Sequence, residues 1–422
     1  MLVKNAEDLK LNLEDLPVSS FWTENTQKQL KMHRIHWYPA KFPPYLVCKA
    51  FDYAKYKKVR VHNVVDFFCG CGTTPLESLK NGYEFWGCDI NPVATLIAKV
   101  KSHKYSKTKL DIYYNLIIEN YNNLQNENMK ISNERLQYWF PEKQSKELKK
   151  LLLSIQKQVP KGFYRDFFLC AFSNILRGCS RWLTKSIKPQ VDPNKEIKDV
   201  IISFKSQYRI MYNANLELIE NLKYNKKIEI YNKNYLNVNI KDNIADVVIT
   251  SPPYVTSYEY ADLHQLSTLW LGFVEDYRDL RKGTIGSLYN TSSYQYKVDD
   301  FNNTAQEILA NVAEKSPNKV KSIAKYFSDI EHTVNKTYSI LKNNSLAFFV
   351  IGNTQYKGVH IDNAKYMLEC MLNQGFSDIE IHKREIGNKI LTRYRDSKGK
   401  FTKDTSARKV YNTEFIIIAR KK

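Results

Sequence analysis

"HNVVDFFCGCGTTPLESLKNGYEFWGCDINP", residues 62–92, decides the fold. It opens on an apolar, β-branched and aromatic run (62–68), the composition of a buried strand. A turn rich in glycine, "DFFCGCGTTP" (66–75), leads into helix-like "TTPLESLKNG", and a second strand, "YEFWGCD" (83–89), follows. Strand, helix and strand in so short a span make a βαβ unit with parallel strands. Gly70 and Gly72 free the backbone to turn tightly and let a ligand approach with no Cβ in the way. Thr73 and Thr74 open the helix, where unpaired N–H groups favour anionic or polar ligand atoms. Asp66 ends the first strand, and Asp89, followed by Ile90, ends the second. An acid at that second tip can accept both hydroxyls of a ribose. The plainer reading of Asp89 is a helix N-cap ahead of Pro92. A lone G-x-G is a weak signal, and its place between strand and helix gives it weight. The two turns together imply an adenosine-containing cofactor. A P-loop lysine and a third phosphate-cradling glycine are missing, which turns the expectation away from a polyphosphate nucleotide.

Five further strand-like runs lie outward from this unit: "KKIEIYN" (226–232), "ADVVIT" (245–250), "SLAFFVIG" (345–352), "FSDIEIHK" (376–383) and "NTEFIIIARKK" (412–422). The expectation is an α/β fold with a Rossmann-like, seven-stranded sheet, mostly parallel with one antiparallel strand. The last two strands, joined by a lysine-rich link, are expected to pair antiparallel. Residues 103–225 read as helices that such a core does not need, and so as an inserted helical domain. It divides a first half, 1–102, from a second, 226–422, which carries its own insertion at about 272–325.

The fourth run ends in "VVITSPPYVTS" (247–257). Two prolines stop the strand and donate no hydrogen bond. In such a sheet this strand lies beside the first, so its carboxyl end overlooks the cofactor. Ser251 and the Pro252 carbonyl can accept hydrogen bonds there, while Pro252 and Pro253 hold them rigid. These acceptors suit a planar NH₂ group, and Tyr254 offers a face on which an extruded base can stack. The plain reading is an ordinary end of a strand.

"TSPPY", "DFFCGCGTT" and "GCDINP" together resemble the amino-methylating DNA methyltransferases, which move a methyl from S-adenosylmethionine to cytosine N4 or adenine N6. "HRIHWYPAKFPPYLVCKAF" (33–51) is similar to that family's motif ahead of the glycine loop. The resemblance implies that Phe68, Gly70 and Gly72 hold the methionine end and Asp89 the ribose. It places Asn234 near the adenine amine, and Tyr38, Pro39, Lys41 and Phe42 over the methionine side. Ser251, Pro252 and Tyr254 would hold the target base. Ser at the first position of the motif favours cytosine N4 over adenine N6. The chain departs from the family's usual Pro at Phe67, Ser at Cys71 and Asp at Asn234. Carbon-5 methylation needs a nucleophilic Cys, usually after Pro, and the chain has no Pro-Cys pair. The setting implied is the modification half of a restriction–modification system, with a cognate endonuclease acting on the same site. Adenine N6, an RNA base and a non-catalytic nucleic-acid-binding subunit stay open as alternatives.

The charge fits a polyanionic partner. With 64 Lys+Arg against 44 Asp+Glu the net charge is +20, which favours nucleic acid over a membrane; the resemblance implies that the nucleic acid is double-stranded DNA. The surplus is concentrated: residues 141–190 carry 11 basic against 3 acidic side chains, and 383–422 carry 13 against 4. Arg165, Arg177, Arg181 and Lys185 in the first stretch, and Arg393 and Arg395 in the second, are candidates for phosphate contacts. Arg177 and Arg181 are expected to share a helical face. The seven Cys form no zinc knuckle and no His pair has metal-ligand spacing, so no metal is expected. A charged N-terminus and the lack of a run of ~20 apolar residues read as a soluble, cytoplasmic protein.

Overall fold

The computed structural model describes residues 1–422 apart from 26–27, 126–128, 130, 256–258, 288, 290, 292–293, 388–393, 396–401, 407 and 410–411. All seven expected runs fold as strands of one sheet, and a two-residue strand at the N-terminus makes an eighth. They are β1 (Leu2–Val3), β2 (Asn63–Asp66), β3 (Glu84–Asp89), β4 (Ile228–Asn232), β5 (Ala245–Thr250), β6 (Leu341–Ile351), β7 (Ser377–Glu385) and β8 (Thr413–Arg420). Their spatial order is β1-β7-β8-β6-β5-β2-β3-β4. Strands β2 to β6 pair in parallel. Strand β8 slots between β6 and β7, antiparallel to both. Strand β1 is antiparallel to β7, a second reversal that the sequence reading did not include.

Both faces of the sheet are covered, which explains the unbroken apolar runs. Val247, Ile249, Phe348, Val350, Ile416 and Ile418 pack on one face with Trp22, Tyr45 and Phe51. Their neighbours Val248, Ala347, Phe349 and Ile417 pack on the other with Phe327, Ile330 and Met367. The alternation within each strand is the two-residue period of a pleat.

The stretch 103–225 is helical, with Lys107–Asn123, Glu134–Trp139, Glu142–Gln158, Phe163–Ile175 and Val200–Asn221. In Glu142–Gln158 the buried residues Leu148, Leu151, Leu152 and Ile155 fall on one helical stripe. They belong to a cluster that also takes in Leu76, Leu79, Val93 and Ile97 beside the sheet. The region 272–325 holds the short 3₁₀ turns Tyr277–Arg281 and Val298–Asp300, the helix Asn303–Lys315, and the start of Pro317–Ile340.

Two consequences position a site. Strands β2 and β5 are neighbours, although β3 and β4 lie on the far side of β2, so the strand order reverses between them. The carboxyl ends of β2, β3, β5 and β6 all reach one edge, where open α/β sheets bind ligands.

Candidate active site

One buried carboxylate ties the edge together. Asp66 is 2% exposed, and its Oδ1 accepts from the Phe68 N–H at 3.0 Å and Thr250 Oγ1 at 2.6 Å. Its Oδ2 accepts from Thr74 Oγ1 at 2.7 Å. Burial pushes this carboxyl up to about 6, against the pull of those donors. Thr73 Oγ1 donates to the Phe42 carbonyl at 2.9 Å. Asp66, Thr73 and Thr74 therefore spend their side chains on the protein, and what Thr73 and Thr74 can still offer a ligand is their backbone N–H groups at the helix start.

The two glycines differ. Gly72 sits at φ +84°, and a Cβ there would lie 2.5 Å from Ala98 Cα, so it serves close packing of the turn on the helix Pro92–Lys101. Gly70 sits at φ +49°, and a Cβ there would meet nothing nearer than the Phe68 carbonyl at 3.9 Å. Gly70 is the one that leaves its face open to a ligand. Its N–H donates to Asp89 Oδ2 at 3.0 Å, while Asp89 Oδ1 accepts from the Asn91 N–H at 2.8 Å. The cap of Pro92–Lys101 is Asn91, whose side chain accepts from the Val93 N–H at 3.0 Å. Asp89 is thus not that helix's N-cap. Burial raises the Asp89 carboxyl to about 6, with the Asn91 and Gly70 N–H groups opposing.

The residues fit an adenosine-type cofactor with an amino-acid tail. Each Asp89 oxygen keeps an acceptor site for a ribose hydroxyl. Asn91 Nδ2 is buried without a protein partner. Beyond Asp89, Ile90 and Asn234 lie together under Gly283, where a Cβ would come within 3.4 Å of Ile90 Cδ1 and 2.9 Å of Asn234 Nδ2. Asn234 Nδ2 donates to the Gly283 carbonyl at 3.1 Å, and Asn234 Oδ1 accepts from the Leu236 N–H at 3.0 Å. The Phe68 ring meets Tyr235 edge-on at 5.0 Å.

The motif at 33–51 closes over the glycine turn. Tyr38 stacks on His264 at 4.8 Å, and burial and the nearby Asp89 charge hold its phenol protonated. Pro39 is buried beside it. Lys41 Nζ donates to the His33 carbonyl at 2.7 Å, and burial, followed by Lys101, lowers its pKa. His33 is anchored in turn by Glu77, Nε2 to Oε1 at 2.7 Å. Beneath the turn, fully buried Lys101 lies 3.4 Å from Cys71 Sγ. All seven Cys are free and buried.

At the end of β5, Ser251 Oγ donates to the Val350 carbonyl at 2.9 Å. Its proton is committed to that carbonyl, and the Tyr254 hydroxyl is a hydrogen-bonding neighbour of the same side chain. Tyr254 lies against Gly352, where a Cβ would come within 2.9 Å of the ring. Its hydroxyl donates to Glu414 Oε1 at 2.9 Å. Pro252 is buried and Pro253 half-buried between them.

No family model matches the chain. The Type II methyltransferase M.MvaI of Kocuria varians is 26% identical over 400 residues, covering 86% of this chain and 86% of its own. The Type II methyltransferase M.AvaI of Nostoc sp. is 24% identical over 347 residues, covering 73% and 71%. The chain is thus similar to two Type II methyltransferases over most of its length. Among solved structures, a SAM-dependent methyltransferase from Methanosarcina mazei matches 92% of this chain and 98% of its own at 10% identity. Its TM-score is 0.30.

The basic residues are placed differently from expectation. The helix Phe163–Ile175 ends before Arg177, so Arg177 and Arg181 share no helical face. The Arg177 guanidinium lies 3.8 Å from the centre of the Trp37 ring and donates to the Ser186 carbonyl at 2.6 Å. Burial lowers its pKa to about 10. Arg165 donates to the Val159 and Gln156 carbonyls at 2.6 and 2.8 Å, closing the end of Glu142–Gln158. Arg181 donates to the Tyr138 carbonyl at 2.8 Å. Lys185 is exposed. Arg395 lies in the short strand Tyr394–Arg395, and Arg393 lies outside the described residues. Among the described residues no group of His, Cys, Asp and Glu is placed to hold a metal, and no helix is long and apolar enough to cross a membrane.

Sequence reasoning missed Thr250, Gly352, Glu414 and Gly283. Thr250 carried a signal, since it directly precedes Ser251 at the strand end. The other three become neighbours of the site only through pairing and loop packing.

Proposed function

We propose that the protein is an S-adenosylmethionine-dependent DNA methyltransferase that methylates the exocyclic N4 of cytosine in a flipped-out base. The observation that supports transfer to an exocyclic amine is Ser251, whose proton is turned to Val350 and whose oxygen faces Tyr254 at the strand end beside the glycine turn; serine at this place in the motif is what favours cytosine N4. Kinship with M.MvaI and M.AvaI supports methyl transfer and the Type II setting. By that kinship double-stranded DNA is the substrate, and an endonuclease cutting the same site is the implied partner.

Bound at the turn, the cofactor supplies an electrophilic methyl group. Gly70 and Asp89 hold its amino-acid and ribose portions in this reading, and Tyr38 lies over them. Ser251 Oγ and the Pro252 carbonyl accept the two N–H bonds of the base, which turns the nitrogen lone pair toward the methyl. Tyr254 supports the ring. No side chain becomes covalently attached. Rigid acceptors on two prolines need no reorganisation as charge develops. The basic stretches 141–190 and 383–422 supply phosphate contacts, with Arg181, Lys185, Arg393 and Arg395 as members.

The deciding experiment is nucleoside mass analysis after incubation of the protein with unmethylated DNA and isotope-labelled S-adenosylmethionine. Label in N4-methylcytosine is the expected result. Label in N6-methyladenine overturns the base assignment, and label on RNA alone overturns the choice of polymer.

A further inference from the structure

Tyr254 does not stand alone at the edge of the sheet. Its hydroxyl donates to Glu414 Oε1 at 2.9 Å. The other oxygen, Oε2, is held by a fork from Arg384, Nη2 at 2.8 Å and Nε at 3.1 Å. Arg384 Nη1 donates to the Tyr45 hydroxyl, which donates to the Thr23 carbonyl at 3.4 Å. The Arg384 side chain is 2% exposed and that of Glu414 16%. Residues 414 and 384 are direct cross-strand partners of β8 and β7.

The topology explains why the support comes from so far along the chain. Every parallel strand presents its last residues at the site. Strand β8 alone in the middle of the sheet runs the other way, so it presents its first. Phe415 pairs with Ile351, which brings Glu414 to the level of Gly352. There the missing Cβ lets the Tyr254 ring lie on the main chain. The Cδ2–Cε2–Cζ side of the ring and the hydroxyl are thereby both held, and a forked arginine fixes the carboxylate that holds the hydroxyl.

We propose that Glu414 and Arg384 are positioning residues that set the plane of Tyr254 for the target base. The proposal rests on the reading of Tyr254 as the base platform. Glu414 touches neither base nor cofactor in this scheme and acts only through the phenol.

The test is a double-mutant cycle of Tyr254→Phe and Glu414→Ala, with Glu414→Gln as the conservative variant and Tyr254→Ala as the reference. Methyl transfer to unmethylated genomic DNA gives kcat, and calorimetry gives the S-adenosylmethionine affinity of each variant. Tyr254→Phe and Glu414→Ala should each lower kcat by about tenfold, as expected for loss of a charge-assisted hydrogen bond. The double variant should lose no more than Glu414→Ala, cofactor affinity should hold throughout, and Glu414→Gln, whose carbonyl still accepts from the phenol, should recover most of the rate. Losses that add in the double variant, or a cofactor affinity that falls in step with kcat, overturn the proposal. A fully active Glu414→Gln beside an equally active Glu414→Ala also overturns it. Turnover surviving in Tyr254→Ala would instead remove the base platform itself. An inactive Tyr254→Ala beside a fully active Glu414→Ala removes only the positioning role.

Discussion

Ser251 donates its hydroxyl proton to the Val350 carbonyl across the β5–β6 boundary, at 2.9 Å. A serine held this way can act only as an acceptor on its other side, where the Tyr254 hydroxyl is already a hydrogen-bonding neighbour. Ser251→Ala should lower kcat by about 10²–10³-fold, the usual effect of deleting one preorganised polar partner. Calorimetric affinity for S-adenosylmethionine should not change. A variant with normal turnover would end the acceptor role.

Asp89 gives a pH dependence to cofactor binding. Its carboxyl titrates at about 6, raised by burial, and ribose hydroxyls donate best to the ionised form. Affinity for S-adenosylmethionine should therefore rise as pH passes upward through about 6 and level off above it. Asp89→Asn should bind weakly with a flat profile between pH 5 and 8. A flat profile in the unmodified protein would contradict the assignment.

Folding stability responds to pH in the opposite sense at Asp66. Its folded pKa of about 6 lies above the ordinary 3.8. The protonated folded form is thus favoured, and this contribution is complete below pH ~4 and lost as pH rises through about 6. The difference amounts to about 3 kcal/mol. Asp66→Asn keeps acceptor and donor atoms for Phe68, Thr250 and Thr74. It should melt above the unmodified protein at pH 8, by about half as much at pH 5, and level with it only below pH ~4. Lower melting at pH 8 would show that the ionised carboxylate is worth more to its donors than burial costs it.

Gly70 and Gly72 should separate cleanly. Gly72→Ala sets a Cβ against Ala98 at 2.5 Å. Overpacking of about 1–3 kcal/mol and the left-handed backbone, about 1–2 kcal/mol, both weigh on the fold. Gly70→Ala meets only the backbone term, so its Tm should drop less while cofactor affinity drops more. Thermal melts and calorimetry on the pair check both halves.

Arg177 and Lys185 offer a contrast in DNA binding. Arg177→Ala loses its stacking on Trp37, worth about 0.5–2 kcal/mol, and should lower Tm with little change in the salt dependence of DNA affinity. Lys185→Ala should leave Tm alone and reduce the salt slope by about one. The reverse pattern would return Arg177 to the DNA surface.

The sheet was legible because strands buried on both faces leave long apolar runs, and turn residues mark where they stop. Strand β1 was not, since Leu2–Val3 forms a strand only by pairing with β7. The helical face expected for Arg177 and Arg181 assumed that a helix continues through "NILRGCSRW", where the chain instead turns after Ile175. Ser251, Asp89 and Gly70 could be read because chemistry and local turn coincide in a few residues. Glu414 could not, because its meeting with Tyr254 spans 160 residues and depends on the one reversed strand in the middle of the sheet.

The strand order also has a consequence for the emerging chain. Strand β2 gains β3 almost at once, but the Thr250 partner of Asp66 lies 184 residues downstream. At 5–20 residues per second, the free side of β2 waits about 10–40 s on the ribosome for its second neighbour. Throughout that wait the helices of 103–225 are being made, and their shared cluster with Leu76 and Val93 gives them a place to dock. The helices of 103–225 thus have a packing partner in the first half of the chain before β5 has been made.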